Sequence, residues 1–336
     1  MKNILYIGNK LNNKHSNPAS VHTLGALLES EGYNLFYASS KTNKLLRLLD
    51  MLNACFKYRS KVDFVLIDTY STLNFFYAFF IGQLCRLLKL KYIPILHGGN
   101  LPMRLEKNSR LCNMIFKNAL INVPPSHYLK NAFESYGYYN LLYIPNSLEI
   151  NNYEYKVRDF KSIRLLWVRS FSKIYNPKLA IKVLKKLKDE RIDVSLCMVG
   201  PDTDGSLQDV KAFAKEQQVE VVFTGRLSKE EWINLSKDYN IFINTTNFDN
   251  TPVSVIEAMA LGLPIVSTNV GGMPYLISDK KDGLLVDKND VDEMVNAVKH
   301  LIDNQEFARQ IAVNARHKVE QFNWEQVKKL WFNVLR

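Results

Sequence analysis

A chain of 336 residues with 47% hydrophobic content can build two domains of about 150 residues, each with its own core. Its net charge of +11 is uneven, residues 1–155 holding 17 Lys and Arg against 9 Asp and Glu and the remainder 27 against 24; the excess is diffuse, and with no helix-turn-helix, RRM or KH signature no nucleic-acid partner is expected. Four cysteines, at 55, 85, 112 and 197, form no CxxC pair, which argues against a disulfide framework and a zinc site and fits reduced thiols in a cytoplasmic protein.

The chain opens on a predicted strand at Asn3–Ile7, whose four apolar residues before Gly8 are too few for a signal peptide. The following loop, residues 8–19, lacks the GxGxxG of a dinucleotide-binding turn, and neither His15 nor His22 has a spacing that predicts a role. A helix is predicted over 20–31, then strands near 35–38, 64–67, 92–96, 120–123 and 142–144 with helical patterns between them. This alternation implies a parallel sheet covered by helices on both faces.

Residues 41–61 carry apolar residues at 45, 46, 48, 49, 52 and 56 on one helical face with basic residues flanking it. Such a helix suits the surface of an anionic bilayer, as a peripheral protein on the inner face of the membrane; a partly buried helix with a solvated basic face is the other reading. Residues 73–85 are apolar over about 13 positions, short of the roughly 20 that a spanning helix needs, so a buried or interfacial helix is expected. After the strand YIPIL comes His97-Gly98-Gly99, where two glycines permit close approach of backbone to a ligand and the imidazole sits at a strand's carboxyl end. Ser126 reads as the N-cap of a helix, and the polar run 146–160 as the domain boundary, with a first domain of 1–155 and a second of 156–321.

The second half begins with the strand RLLWV and a loop holding Arg169 and Lys173, two cations placed to meet a diphosphate or only to sit on the surface. Strands at 194–199 and 219–223 run into Gly200 and into Gly225-Arg226, turns that suit the border of a nucleotide base. The run NIFIN, residues 240–244, is a buried parallel strand. A loop and a helix follow it, with Thr251 and Pro252 as N-cap and first position, or Ser254 and Glu257 as a capping box. The helix stops at Gly262, a strand spans 264–268, and Gly271-Gly272 makes the next turn. Amides at the helix start and in the glycine turn favour an anionic ligand such as a diphosphate, and Glu257 either accepts two hydrogen bonds from a ribose diol or caps its own helix. A short strand at 283–286, two helical patterns and an aromatic-rich helix over 322–335 end the chain.

Asp249, then Glu257 eight positions later, then AMALGLP and NVGG, resemble the donor-site signature of the family 4 glycosyltransferases. The resemblance departs where Asp249 replaces the more frequent glutamate and where Arg169 and Lys173 stand one residue closer than is common. It implies the GT-B fold: two Rossmann-like, doubly wound parallel-sheet domains facing across a cleft, the last helix crossing back to the first domain. It further implies a retaining hexosyl transfer from a nucleotide-diphosphate sugar, UDP or GDP, to the hydroxyl of a carbohydrate or glycolipid acceptor in bacterial surface polysaccharide or glycolipid assembly, without metal or other cofactor. On that reading Arg169 and Lys173 neutralise the diphosphate, Glu257 holds the ribose, and Asp249 with Asn250, Thr251, Pro252 and Val253 lies near the sugar. His97, with Gly98 and Gly99, faces the donor sugar, and Gly225 and Arg226 border the base. A GT-B epimerase or phosphorylase, and a non-catalytic basic binding protein, are the alternatives.

Overall fold

The computed structural model describes residues 2–11 and 20–336; most of the loop after the first strand, His15 included, lies outside the described residues. In chain order the elements are β1 (Asn3–Ile7), α1 (Ser20–Ser30), β2 (Asn34–Ala38), α2 (Lys44–Tyr58), β3 (Phe64–Thr69), α3 (Phe75–Leu87), β4 (Tyr92–Leu96), α4 (Leu101–Lys107), α5 (Ser109–Phe116) and α6 (His127–Ser135). They are followed by β5 (Ile163–Val168), α7 (Pro177–Asp189), β6 (Val194–Val199), α8 (Ser206–Glu216), β7 (Val222–Gly225), α9 (Lys229–Ser236) and β8 (Ile241–Asn244). The chain closes with α10 (Val253–Ala260), β9 (Ile265–Thr268), α11 (Met273–Leu276), β10 (Leu284–Val286), α12 (Val291–Asp303), α13 (Gln305–Glu320) and α14 (Trp324–Val334). Two compact units result, Met1–Ser147 with Trp324–Arg336, and Leu148–Asn323.

The first unit holds a parallel sheet in the order β2-β1-β3-β4. Alternate side chains leave a strand on opposite faces, so each strand feeds two cores. Leu5, Ile7, Val65 and Ile67 pack with α2, α3, α5 and α6. Ile4, Tyr6, Phe64 and Leu66 pack with Val21, Leu24 and Leu28 of α1 and with Trp324, Val327 and Trp331 of α14. The last helix is therefore part of this unit's core, and it is also tied to α1 by Trp324 Nε1 and Lys328 Nζ, 3.0 and 3.1 Å from Glu31. It begins at Trp324; Phe322 packs in the second unit. Residues 148–155, counted with the first half in the sequence reading, supply Leu148, Ile150 and Tyr153 to the second unit's core.

The expected strands at 120–123 and 142–144 are reduced to isolated bridges, Ile95 with Val123 and Asn122 with Leu141. Pro124, Pro125 and Pro145 follow directly, and a proline has no amide with which to extend a ladder.

In α2 the side chains of Arg47, Met51, Ala54 and Cys55 turn inward. Arg47 is satisfied there by Lys41 O, Thr42 O and Asn9 Oδ1 at 2.7, 2.9 and 3.1 Å. Leu45, Leu46 and Leu49 are each more than half exposed, and Phe56 nearly half. The helix thus keeps an apolar stripe in solvent. In α3 Phe75, Ala78, Ile81, Leu84 and Cys85 are buried, and no helix among the described residues is long and apolar enough to cross a membrane.

The second unit is a six-stranded parallel sheet in the order β10-β9-β8-β5-β6-β7. Leu165, Trp167, Leu196, Met198 and Ile243 face α7, α8 and α12; Leu166, Cys197, Phe242 and Ile265 face α10 and α13. The two strand-to-helix turns after β8 and β9 touch through backbone. Gly272 N donates to Asp249 O at 2.8 Å, and a Cβ on Gly271 or Gly272 would stand 2.1 Å from Asp249 O or 1.6 Å from Asn250 O. Gly271 also has φ +54°, a left-handed conformation that costs other residues about 1 kcal/mol or more. Gly271→Ala is expected to lower stability by about 2–4 kcal/mol, adding the steric clash to the backbone strain, measured as the change in urea midpoint at unchanged m-value.

Candidate active site

In the second unit the chain runs outward from β5 in both directions, to β6 on one side and to β8 on the other. Ligands of open parallel sheets bind at such a point, beyond the carboxyl ends of the strands. Arg169 follows β5, and the loop 245–252 follows β8. The two loops are tied together: Trp167 Nε1 donates to Thr245 Oγ1 at 2.9 Å, Thr245 Oγ1 donates to Tyr175 O at 2.8 Å, and Asn247 N donates to Ile174 O at 2.7 Å. That scaffold brings the Arg169 guanidinium, through Nη2, onto the Asp249 carboxylate and stacks it 4.0 Å from the centre of the Tyr175 ring. Asp249 Oδ1 accepts from the amide of Asn250 at 2.7 Å. Arg169 Nε is buried with no partner among the described residues, so one donor of the fork is unspent there.

Lys173 is exposed at the start of a single helical turn. Its amide donates to Asp204 Oδ2 at 2.9 Å, while Ser172 Oγ donates to the same oxygen. Hydrogen bonds from Ser206 first, and from the Lys173 amide next, hold the Asp204 carboxyl down at about 2.

Glu257, in the second turn of α10, is buried and does not cap its helix. Its Oε1 accepts from Tyr153 OH at 2.9 Å and from Lys229 Nζ, the first residue of α9. Burial first, and then the charge of Glu149, push the Tyr153 phenol well above its ordinary range, which keeps it a donor. The N-cap of α10 is Pro252 rather than Thr251, and no side chain caps it; the capping box of Ser254 and Glu257 does not form, and Ser254 Oγ is buried without a partner. The turn of Gly271 and Gly272, read as a source of free amides, instead spends the Gly272 amide on Asp249 O. Gly225 ends β7, two strands away from β5, and Arg226 follows it; Gly225 O accepts from Gly200 N at 2.9 Å.

In the first unit His97 follows β4, and its Nε2 lies 2.9 Å from Asp68 Oδ1, near the end of β3. At Gly98 a Cβ would stand 2.5 Å from Ser71 N, so the small residue admits the neighbouring loop. Gly99 is half-buried beside it. Asp68, Tyr153, Lys229 and Tyr175 are site neighbours that the sequence reading did not single out. Only Asp68 carried a signal, an acid closing an otherwise apolar strand.

Residues 155–318 match the model of the glycosyl transferases group 1 family. The chain is 26% identical over 261 residues, 74% of its own length and 70% of the other's, to an uncharacterized glycosyltransferase of Methanocaldococcus jannaschii. It is 28% identical over 107 residues, 30% of its length and 27% of the other's, to the UDP-Gal:alpha-D-GlcNAc-diphosphoundecaprenol alpha-1,3-galactosyltransferase of Escherichia coli. The Anabaena protein HepE, solved in complex with UDP-glucose, superposes with a TM-score of 0.78 at 16% identity, covering 99% of both chains. Two parallel α/β sheet domains of this kind are the GT-B fold, and the chain is a glycosyltransferase. The match to the group 1 glycosyl transferases lies within the second unit and covers just under half of the chain.

Tyr153→Phe removes one of the two donors on the buried Glu257 carboxylate. The expected cost is about 1.5–3 kcal/mol, the range for hydrogen bonds to charged groups, read by chemical denaturation.

Proposed function

We propose that this glycosyltransferase moves a hexosyl group, with retention of configuration, from a UDP-sugar to a hydroxyl of a glycan or lipid-linked acceptor. The observation that carries the reading is Arg169: a guanidinium at the switch point of the donor-side sheet, oriented by Asp249 and Tyr175, with Nε unspent. A planar fork of that kind binds a diphosphate through parallel hydrogen bonds.

In this reading the C1–O bond to the diphosphate breaks as the acceptor oxygen bonds to C1 on the same face. The acceptor's proton passes to the departing phosphate oxygen. Negative charge grows on the diphosphate, and Arg169, Lys173 and the uncapped first turn of α10 take it up without reorganising. Glu257 exchanges Lys229 for the ribose diol, and Asp249 with the segment Asn250, Thr251, Pro252 and Val253 lies along the sugar. Gly225 and Arg226 border the base. No metal or cofactor beyond the donor enters this mechanism.

A lipid-linked acceptor is supported by α2, whose exposed Leu45, Leu46, Leu49 and Phe56 are flanked by the exposed cations Lys41, Lys44, Lys57 and Arg59. A stripe of that composition suits the headgroup region of an anionic leaflet, and in this reading the enzyme works at the cytoplasmic face of a membrane.

A thermal-shift screen over UDP-, GDP-, ADP- and dTDP-sugars tests the donor. UDP-sugars at 100 times their dissociation constant are expected to add about 2.7 kcal/mol of stability. Arg169→Ala is expected to reduce transfer by about 10²–10³-fold with the fold intact, and donor turnover that proceeds without any acceptor would instead indicate an epimerase. Sedimentation with phosphatidylglycerol vesicles at low salt is expected to retain the protein, and Leu45→Glu with Leu49→Glu to release it; indifference to anionic vesicles would remove the membrane part of the reading.

A further inference from the structure

The sheet of the first unit has its own point of divergence, between β1 and β3, and a buried acid stands there. The Asp68 side chain is 1% exposed. Its Oδ1 accepts from Tyr6 OH at 3.1 Å and faces His97 Nε2 at 2.9 Å, whereas Oδ2 is buried with no partner among the described residues. Room for that carboxylate exists because residue 8, just past β1, is glycine: a Cβ there would stand 2.6 Å from Oδ2. The Tyr70 ring lies 5.3 Å from the imidazole. Burial first, and then the Asp68 charge, push the phenols of Tyr6 and Tyr70 well above their ordinary range, so both stay neutral.

A carboxylate enclosed this way carries a desolvation cost, and a bare oxygen adds to it. Packing alone would be served better by an apolar residue of the same volume. What the carboxylate does that no apolar side chain can is to hold one imidazole nitrogen as N–H, which fixes ring orientation and tautomer together.

We infer that Asp68 is a positioning residue for His97, holding the neutral ring as the Nε2–H tautomer so that Nδ1 is presented as a hydrogen-bond acceptor to a hydroxyl of the sugar substrates. This rests on the glycosyl-transfer reading, and it assigns His97 the part of an acceptor toward that hydroxyl rather than of a cation. Gly8 belongs to the same device, since any side chain there would displace the carboxylate. Tyr6, the other donor to Oδ1, keeps the carboxylate turned toward the ring.

The test has two independent readouts. Long-range proton–nitrogen correlation spectra of the full chain at pH 8 report the His97 tautomer; the wild type is expected to show Nε2–H, and an Nδ1–H ring there overturns the inference without any variant. Asp68→Asn is expected to disturb the tautomer and lower kcat about tenfold or more, with KM for the donor sugar and the thermal shift with UDP unchanged. Wild-type kcat and tautomer in Asp68→Asn would overturn it as well. Should no nucleotide shift the wild type and no transfer be detected, the glycosyl-transfer reading fails, while the tautomer still decides whether Asp68 orients the ring.

Discussion

The two loops beyond β5 and β8 depend on one ion pair, Arg169 with Asp249, made between residues 80 apart in sequence past the ends of adjacent strands. Both partners are largely removed from solvent, so neither charge is affordable without the other. The pair also sets the conformation of two loops. Asp249 gives its backbone oxygen to the Gly272 turn and one carboxylate oxygen to Asn250, and Arg169 lies on Tyr175.

The second ion pair follows the same logic with a different balance. Glu257 is buried and Lys229 reaches solvent, so the carboxylate is the fixed member of the pair. Tyr153 gives Glu257 a second donor, so the carboxylate does not depend on the ammonium alone. Preorganisation in this unit is thus achieved by groups that already satisfy one another, with the weaker partner on the solvent side.

Much of the fold was legible because both faces of each sheet are covered, and strands covered on both faces read as continuous apolar runs: FVLI, YIPIL, RLLWV and IFIN each fall within or on a strand. Where the reading failed, local chemistry outweighed pattern. The runs at 120–123 and 142–144 have the composition of strands, yet prolines cut their ladders to single bridges. At the start of α10, Thr251 suits a cap by type, but the helix begins one residue later. Glu257 could not be placed from spacing because its partners, Tyr153 and Lys229, are 104 and 28 positions away. Glycines misled for a related reason: Gly98 and Gly272 admit the chain's own backbone, and a sequence does not distinguish that from admitting a ligand.

The membership of α14 in the first unit bears on how the protein is made. With α1, Trp324, Val327 and Trp331 cover the sheet face carrying Ile4, Tyr6, Phe64 and Leu66, but they are synthesised only after the second unit. At about 5–20 residues per second, the ribosome needs roughly 10–35 s to translate the second unit, Leu148–Asn323, which separates that face from its cover. During this interval the nascent chain exposes one side of an apolar sheet. The first unit is consequently completed only after the second has been translated, which leaves that face open to chaperones until α14 emerges.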